Sequence, residues 1–445
     1  MQLSPLLLFA FACATACYSP PEPGLCANDG DCTRNPGGQC WMSPAGRDVC
    51  VYPDSECSNG WRWDDLNQLS NACVHESDLP DVDAGSDASP DGDGGPPARW
   101  GLLVANARTV NTNPVEPLRL YAPGAGDNYA SAWMSEELDW GRALAWGDFD
   151  GDGDQDFVVG NGFADRGRNR IYRNDGAASF SVFWTSVGVA YTPDVGWADV
   201  DGDTDLDMLA IVNSGVFLYR QTNGVFEPGV NATPSSGGAG SFDTADFDGD
   251  GDVDIATGGV PGSSIYLNDG SGSFTRMTWD GPANASTVAL GDYDHDGDPD
   301  LAIGLSRGFF LYKNDGGAPV PAFNSSEIGI TDYSSEVAWL DFDGDGDLDL
   351  AAAHCVSSAT GCTPAPNRVY RNAGGTFSVA WAAPEQDISN SVAVADYNND
   401  GKPDLAFGNL GTPTRLYKNV GGGTFSLVWS SPLSENTNAV AWAPL

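Results

Sequence analysis

Six times between residues 148 and 404 the chain sets acidic side chains at alternate positions of a nine-residue segment, and the even spacing of these segments limits the fold more than any other feature. They read DFDGDGDQD, DVDGDTDLD, DFDGDGDVD, DYDHDGDPD, DFDGDGDLD and DYNNDGKPD. Their first residues are Asp148, Asp199, Asp246, Asp292, Asp341 and Asp396, at intervals of 51, 47, 46, 49 and 55. A repeat of about 50 residues marks a propeller or a solenoid. Each unit opens on a short apolar strand such as Ala143 to Trp146, and the acidic loop follows. A second strand comes next, as in Phe157 to Gly160 or Leu301 to Gly304. A third carries an aromatic residue and a turn, as in Ile171 to Gly176, Leu311 to Gly316 and Leu416 to Asn419. The fourth often ends in tryptophan, at Trp184, Trp279, Trp381 and Trp429. Four short antiparallel strands per unit match one propeller blade.

The ends of the chain complete the count. Ala439 to Trp442 repeats the first-strand pattern, but the chain stops at Leu445. The missing strands lie at the other end, where Gly101 to Ala105, Leu118 to Tyr121 and the stretch to Trp133 read as second, third and fourth strands without a first. The expectation is therefore an all-β, seven-bladed β-propeller over residues 100–445, with six continuous blades and one composite blade closed by both termini. Closure of this kind removes an open sheet edge.

The loops carry metal-binding chemistry. The candidate ligating residues are Asp148, Asp150, Asp152, Asp154 and Asp156 in loop one, and Asp199, Asp201, Asp203, Asp205 and Asp207 in loop two. Loop three offers Asp246, Asp248, Asp250, Asp252 and Asp254, and loop four Asp292, Asp294, Asp296, Asp298 and Asp300. Loop five has Asp341, Asp343, Asp345, Asp347 and Asp349, and loop six Asp396, Asn398, Asp400, Lys402 and Asp404. Calcium takes six to eight oxygens, and alternate residues of a tight loop turn carboxylates inward while glycine at position six permits the bend. Position seven offers its backbone carbonyl, since Lys402 stands there in loop six and has no side-chain oxygen. An EF-hand needs a glutamate at position twelve, where this chain has Val159, Ala210, Thr257, Ile303, Ala352 and Phe407. Magnesium favours octahedral sites that retain water. Loops two and six are expected to be weakest, because Thr204 replaces the glycine of one and Asn398 and Lys402 lower the charge of the other.

These loop and strand patterns, recurring together, resemble the FG-GAP or VCBS repeats of integrin-α-type propellers. The resemblance covers residues 100–445 and implies adhesion or ligand binding at the cell surface, with calcium as a structural element in about six loops. It names no ligand.

The remainder of the chain is organised differently. Residues 1–16 read as an export signal, with an apolar run from Leu6 to Ala12 and small residues Ala14, Thr15 and Ala16 before Cys17. That ending supports either a lipid anchor on Cys17, as in a bacterial lipoprotein, or plain cleavage after Ala16. Removing Cys13 with the signal and lipidating Cys17 leaves eight of the ten cysteines, an even number. Six of them, Cys26, Cys32, Cys40, Cys50, Cys57 and Cys73, mark residues 17–75 as a small disulfide-rich module, and no CxxC pair favours zinc. Residues 76–99, rich in Asp, Gly, Ser and Pro, form an acidic linker with too little apolar surface to fold.

With 20 Lys and Arg against 62 Asp and Glu, the formal charge of −42 repels nucleic acid and anionic lipid, so any membrane link runs through the Cys17 lipid. The expected function is a non-catalytic, exported surface module, outer-membrane or secreted, that binds a glycan or protein on the face opposite the acidic loops. Two insertions fall on that face: the basic stretch Asn161 to Arg170, and His354 to Asn367 with Cys355 and Cys362. Two alternatives stay open, a polysaccharide lyase or hydrolase and a structural part of an envelope assembly. Only His75, His295 and His354 occur, and nine of the 14 tryptophans fall at repeating strand positions, which favours packing over catalysis or sugar stacking.

Overall fold

In the computed structural model the described residues are the strands Gln39–Met42, Asp48–Pro53 and Trp61–Trp63 and, from Trp100 to Leu445, all but short stretches at 108–115, 125–127, 139, 163–166, 177, 189–190, 213–214, 234–237, 261, 280 and 359–360. The signal segment, Cys17, the linker 76–99 and the side chains of the first cysteine cluster lie outside them. The chain divides into two compact units, Met1–Ala88 and Ser89–Leu445. In the first, the three strands form one antiparallel sheet with Cys40 opposite Cys50.

The second unit is a seven-bladed propeller. Blade 1 takes Asn436–Pro444, Trp100–Ala107, Arg119–Pro123 and Tyr129–Met134; blade 2 takes Gly141–Gly147, Asp156–Asn161, Arg170–Asn174 and Phe180–Thr185. Blades 3 to 7 begin at Val195, Gly238, Ala285, Tyr333 and Ser389 and repeat the plan. Second strands such as Asp156–Asn161 and Asp404–Asn409 are buried along their whole length because sheets pack on both of their faces. That is why they read as unbroken apolar runs, FVVG and LAFG. Fourth strands leave one face open, so Phe180–Thr185 is buried mainly at its start.

Blade 1 is the composite predicted from the chain ends. Val440 pairs Val104, Ala441 pairs Leu103 and Trp442 pairs Leu102. Its seam with blade 7 is an aromatic cluster of Tyr129, Tyr397, Trp429 and Trp442, in which the Trp429 Nε1 donates to the Tyr129 carbonyl at 3.0 Å. A buried Glu435 ties the same seam, accepting from Arg119 at 2.8 Å and from Asn106 at 2.7 Å.

Some details differ from expectation. Trp279 lies beyond its fourth strand, Phe274–Arg276, and packs against Tyr312 from there. Blade 3 carries an extra hairpin, Gln221–Thr222 with Val225–Phe226. Cys355 and Cys362 form a disulfide across the hairpin made by Asp349–Ser358 and Gly361–Pro364. Among the described residues no helix is long and apolar enough to cross a membrane.

Candidate metal centres

All six loops follow the first strands at one end of the propeller, and their local geometry repeats. The position-one carboxylate organises each loop by accepting backbone N–H groups. In loop one Asp148 accepts from Gly151 at 2.8 Å, Asp152 at 3.1 Å and Gly153 at 2.9 Å. Asp246 and Asp341 repeat all three bonds. Two positions per loop are left-handed, not one. Position six has φ from 74° to 96°, and position four is positive too, with Gly151 at 72°, His295 at 60° and Asn399 at 55°. Four loops have glycine at position four, which is the signal in the sequence for this second bend.

Position nine is a brace. Asp156, Asp207, Asp254, Asp300, Asp349 and Asp404 are all essentially buried. Asp254 accepts from the backbone of Phe247 at 2.8 Å and of Asn268 at 2.7 Å, locking its loop to the third strand. Burial pushes Asp156, Asp300, Asp349 and Asp404 up to about 7, and Asp207 and Asp254 up to about 6, against the opposing pull of those N–H donors. Position three follows the same direction, since burial and then a neighbouring carboxylate raise Asp150, Asp201, Asp248 and Asp343.

Five loops bring three carboxylate oxygens within 4.8 Å of one another. The groups are Asp148, Asp150 and Asp156; Asp199, Asp201 and Asp203; Asp246, Asp248 and Asp250; Asp292, Asp294 and Asp296; and Asp341, Asp343 and Asp349. Loop two belongs to this set although Thr204 sits at φ 74°, so the β-branched residue takes the strained backbone and the cluster still assembles. Loop six gathers no such trio among the described residues. There Asn398 donates to Asp404 at 2.6 Å, Lys418 contacts Asp400 at 3.2 Å, and the Lys402 ammonium lies 3.5 Å from Asp400. Position-seven side chains are engaged elsewhere: Asp205 accepts from Asn223 at 2.7 Å, and Asp347 lies 3.3 Å from His295 of the preceding blade. Asp152, Asp345 and their equivalents at position five accept from the backbone of position seven, as Asp154 N shows at 2.9 Å.

The chemistry suits a hard divalent cation. The Oδ1 atoms of Asp201, Asp294 and Asp343 are buried and have no hydrogen-bond partner. An orphaned carboxylate oxygen is costly, and clustered carboxylate oxygens are the donor set that calcium takes.

A second set of residues, not foreseen as functional, ties these loops to the next blade. In five blades an amide side chain at or just past the end of the third strand donates to the position-two carbonyl of the preceding loop: Gln221 to Phe149 at 2.9 Å, Asn268 to Val200 at 2.9 Å, Asn314 to Phe247 at 2.8 Å, Asn372 to Tyr293 at 2.9 Å and Asn419 to Phe342 at 2.7 Å. Position-two rings also stack on the next blade's first-strand tryptophan, as Phe149 on Trp197, Tyr293 on Trp339 and Tyr397 on Trp442. Loop order and blade contact are thus one structure.

The FG-GAP-like repeat matches residues 148–210, 199–257, 258–303, 355–407 and 396–445, more than half of the chain. The chain belongs to the FG-GAP-like repeat family. No curated protein matches it. Among solved structures, a protein from Lactobacillus plantarum is similar over 78% of this chain and 99% of its own, at 12% identity and a TM-score of 0.55, a likeness of fold alone. An Agrocybe aegerita lectin that recognises non-reducing terminal N-acetylglucosamine is similar over 76% of this chain and 90% of its own, at 18% identity and a TM-score of 0.49.

Proposed function

We propose that this FG-GAP-like propeller is an exported, non-catalytic ligand-binding module whose acidic loops hold calcium as a structural ion. The observation that carries this reading is the division of the first strands. One end feeds five carboxylate clusters, three of them with a buried, partnerless oxygen, and the other opens on a polar cavity of about 490 Å³. Calcium, when bound, neutralises the loop carboxylates. The residues around it do the rest: position one fixes the loop backbone, position nine fixes the third strand, and position two passes that order to the next blade.

Two arrangements support a non-catalytic role. The Ser334–His354 pair, 3.4 Å apart, is fully buried and shut away from any substrate. Burial drives the His354 imidazole down to about 4, so it is neutral, and its Nε2 engages the Tyr370 hydroxyl at 2.9 Å. Export rests on the apolar run from Leu6 to Ala12, and a surface anchor on Cys17.

A glycan and protein array probed with and without calcium tests the reading, with polysaccharide turnover measured in parallel. Binding that weakens in chelator, without turnover, is the expected result. Calcium-independent turnover would replace this reading with an enzyme. Fatty-acid labelling lost in Cys17→Ser checks the anchor.

A further inference from the structure

Six of the seven first strands contain a β-bulge near their start, at the end of the propeller opposite the acidic loops. The pairing ladder skips Arg142, Gly240, Ser286, Ser335, Asn390 and Asn438, one per blade. A bulge re-aims the side chain of its extra residue, and all six line the cavity at the channel mouth.

Most of this ring is closed on itself. Ser286 Oγ donates to the carbonyl of Ser334, Ser335 Oγ to that of Ser389 at 2.6 Å, Asn390 Nδ2 to that of Thr437 at 3.5 Å and Asn438 Nδ2 to that of Gly141 at 2.7 Å. Each acceptor is the residue just before the next blade's bulge. The chain of bonds stops at Arg142, because blade 3 follows and its first strand, Val195–Ala198, is short and has no bulge.

Arg142 is therefore left over. Its guanidinium lies over the Tyr191 ring at 4.8 Å, its Nε is buried without a partner, and no carboxylate among the described residues pairs with it. Three other arginines at this end do have carboxylate partners: Arg119 with Glu435 at 2.8 Å, Arg368 with Asp332 at 2.6 Å and Arg415 with Asp387 at 2.6 Å. The two acids that line the cavity serve backbone donors instead. Asp194 accepts from Val195 at 3.0 Å and Phe242 at 2.9 Å, and Glu336 from Val392 at 2.7 Å. A half-buried guanidinium with an orphaned Nε and no carboxylate partner, lining a polar cavity, is an anion site in waiting.

We propose that the channel mouth binds a small hydroxylated carboxylate of the acidic-monosaccharide class, with Arg142 holding the carboxylate. Ser335 and Asn390 have donors committed to the ring, so their oxygens remain as acceptors for ligand hydroxyls, while the Ser286 hydroxyl also meets that of Tyr333. The cavity volume falls in the range of small-ligand sites. The inference rests on the ligand-binding reading above and specifies its site.

The test titrates the full-length protein, in calcium, with D-glucuronate, D-glucose and sulfate by calorimetry. Glucuronate is expected to bind at least about tenfold more tightly than either, since a charge-assisted pair and the hydroxyl contacts each contribute. Arg142→Gln should lose about tenfold or more of the glucuronate affinity and Arg142→Lys should recover part of it, with the melting temperature and calcium midpoint unchanged. Equal affinity for glucose, equal affinity for sulfate, or undiminished binding by Arg142→Gln would each overturn the proposal. Should the variant fail to fold, the three wild-type titrations decide. A wild-type protein that captures other array ligands but not glucuronate sinks this inference alone and leaves the ligand-binding reading standing.

Discussion

Loops three and four share a backbone shape, and of the differences in the strand beside them one places a cation among the loop acids. In both, the position-one carboxylate accepts from positions five and six, the position-nine carboxylate accepts from position two and from the third-strand asparagine, and that asparagine clamps the previous blade. In loop four the residue before that asparagine is Lys313, whose ammonium reaches Asp294 at 2.8 Å, Asp296 at 3.2 Å and Asp315 at 3.0 Å. Those carboxylates, Asp294 foremost, hold the ammonium above its ordinary value. In loop three the same place is Leu267, and burial followed by the Asp250 charge raises Asp248 instead. Loops two, five and six follow loop four, through Arg220 to Asp201 at 3.2 Å, Arg371 to Asp343 at 3.0 Å, and Lys418 to Asp400 at 3.2 Å. Loop one follows loop three, because Arg173 turns to Asp175 at 2.6 Å. The same loop thus manages its repulsion in two ways, with a tethered cation or with none of its own.

The largest expected effect is that of removing calcium. With a dissociation constant near 10⁻⁴ M, about 1 mM calcium stabilises by about 1.4 kcal/mol per site, or about 7 kcal/mol over five sites. Excess chelator should therefore lower the melting temperature by more than about 10 °C. Hydrogen exchange should then show residues 246–254 losing protection before residues 292–300. Simultaneous loss would erase the contrast between the loops.

Acidity reads the same balance with a definite sign. The folded position-nine carboxyls titrate at about 6 to 7, above the unfolded value near 4. Their contribution to stability is complete below about pH 4 and disappears as pH rises through 6 to 7. In chelator the protein should melt at a higher temperature at pH 5 than at pH 8, and calcium should flatten or reverse that slope. A steeper loss at pH 5 in chelator would show that the braces are not buried as described.

A control tests whether the scaffold is common to both loops. Asn268 bonds Val200 and Val253, and Asn314 bonds Phe247 and Pro299, at near-equal distances. Asn268→Ala and Asn314→Ala should each cost about 1–3 kcal/mol in urea unfolding, because each leaves buried carbonyls without a donor. A marked inequality would mean that the loops differ in more than their cation.

Much of this was legible in the residues and some was not, for physical reasons. The period and the composite blade could be read because Ala439 to Trp442 repeats Ala143 to Trp146, and strand patterns survive as local alternations. The asparagine clamp could not, since Asn372 and Tyr293 are 79 residues apart and a turn already explains an Asn before Asp-Gly or Ala-Gly-Gly. The backbone at Thr204 was hidden for a related reason. Left-handed strain at one residue was weighed without the three N–H bonds that Asp199 receives from Gly202, Asp203 and Thr204 itself, which hold the loop in that shape. The bulge ring is invisible for a third reason, as one extra residue leaves the first-strand pattern unchanged to the eye while turning Arg142 into the channel.

The smallest predicted effect is the most specific. Exchanging the two residues, Leu267→Lys and Lys313→Leu, should move calcium affinity in opposite directions, weakening loop three and strengthening loop four by about two- to fivefold, the scale of an exposed ion pair. The change should shrink as ionic strength rises, because screening acts on the tethered ammonium. Calorimetric titration of each variant against the wild type reads both effects, and the single substitutions leave the blade contacts of Asn268 and Asn314 in place. If both substitutions shifted affinity the same way, the cause would lie in packing against the third strand. If neither shifted it, the ammonium of Lys313 and a calcium ion would occupy the loop without excluding one another, and the contrast between loops three and four would be one of charge alone.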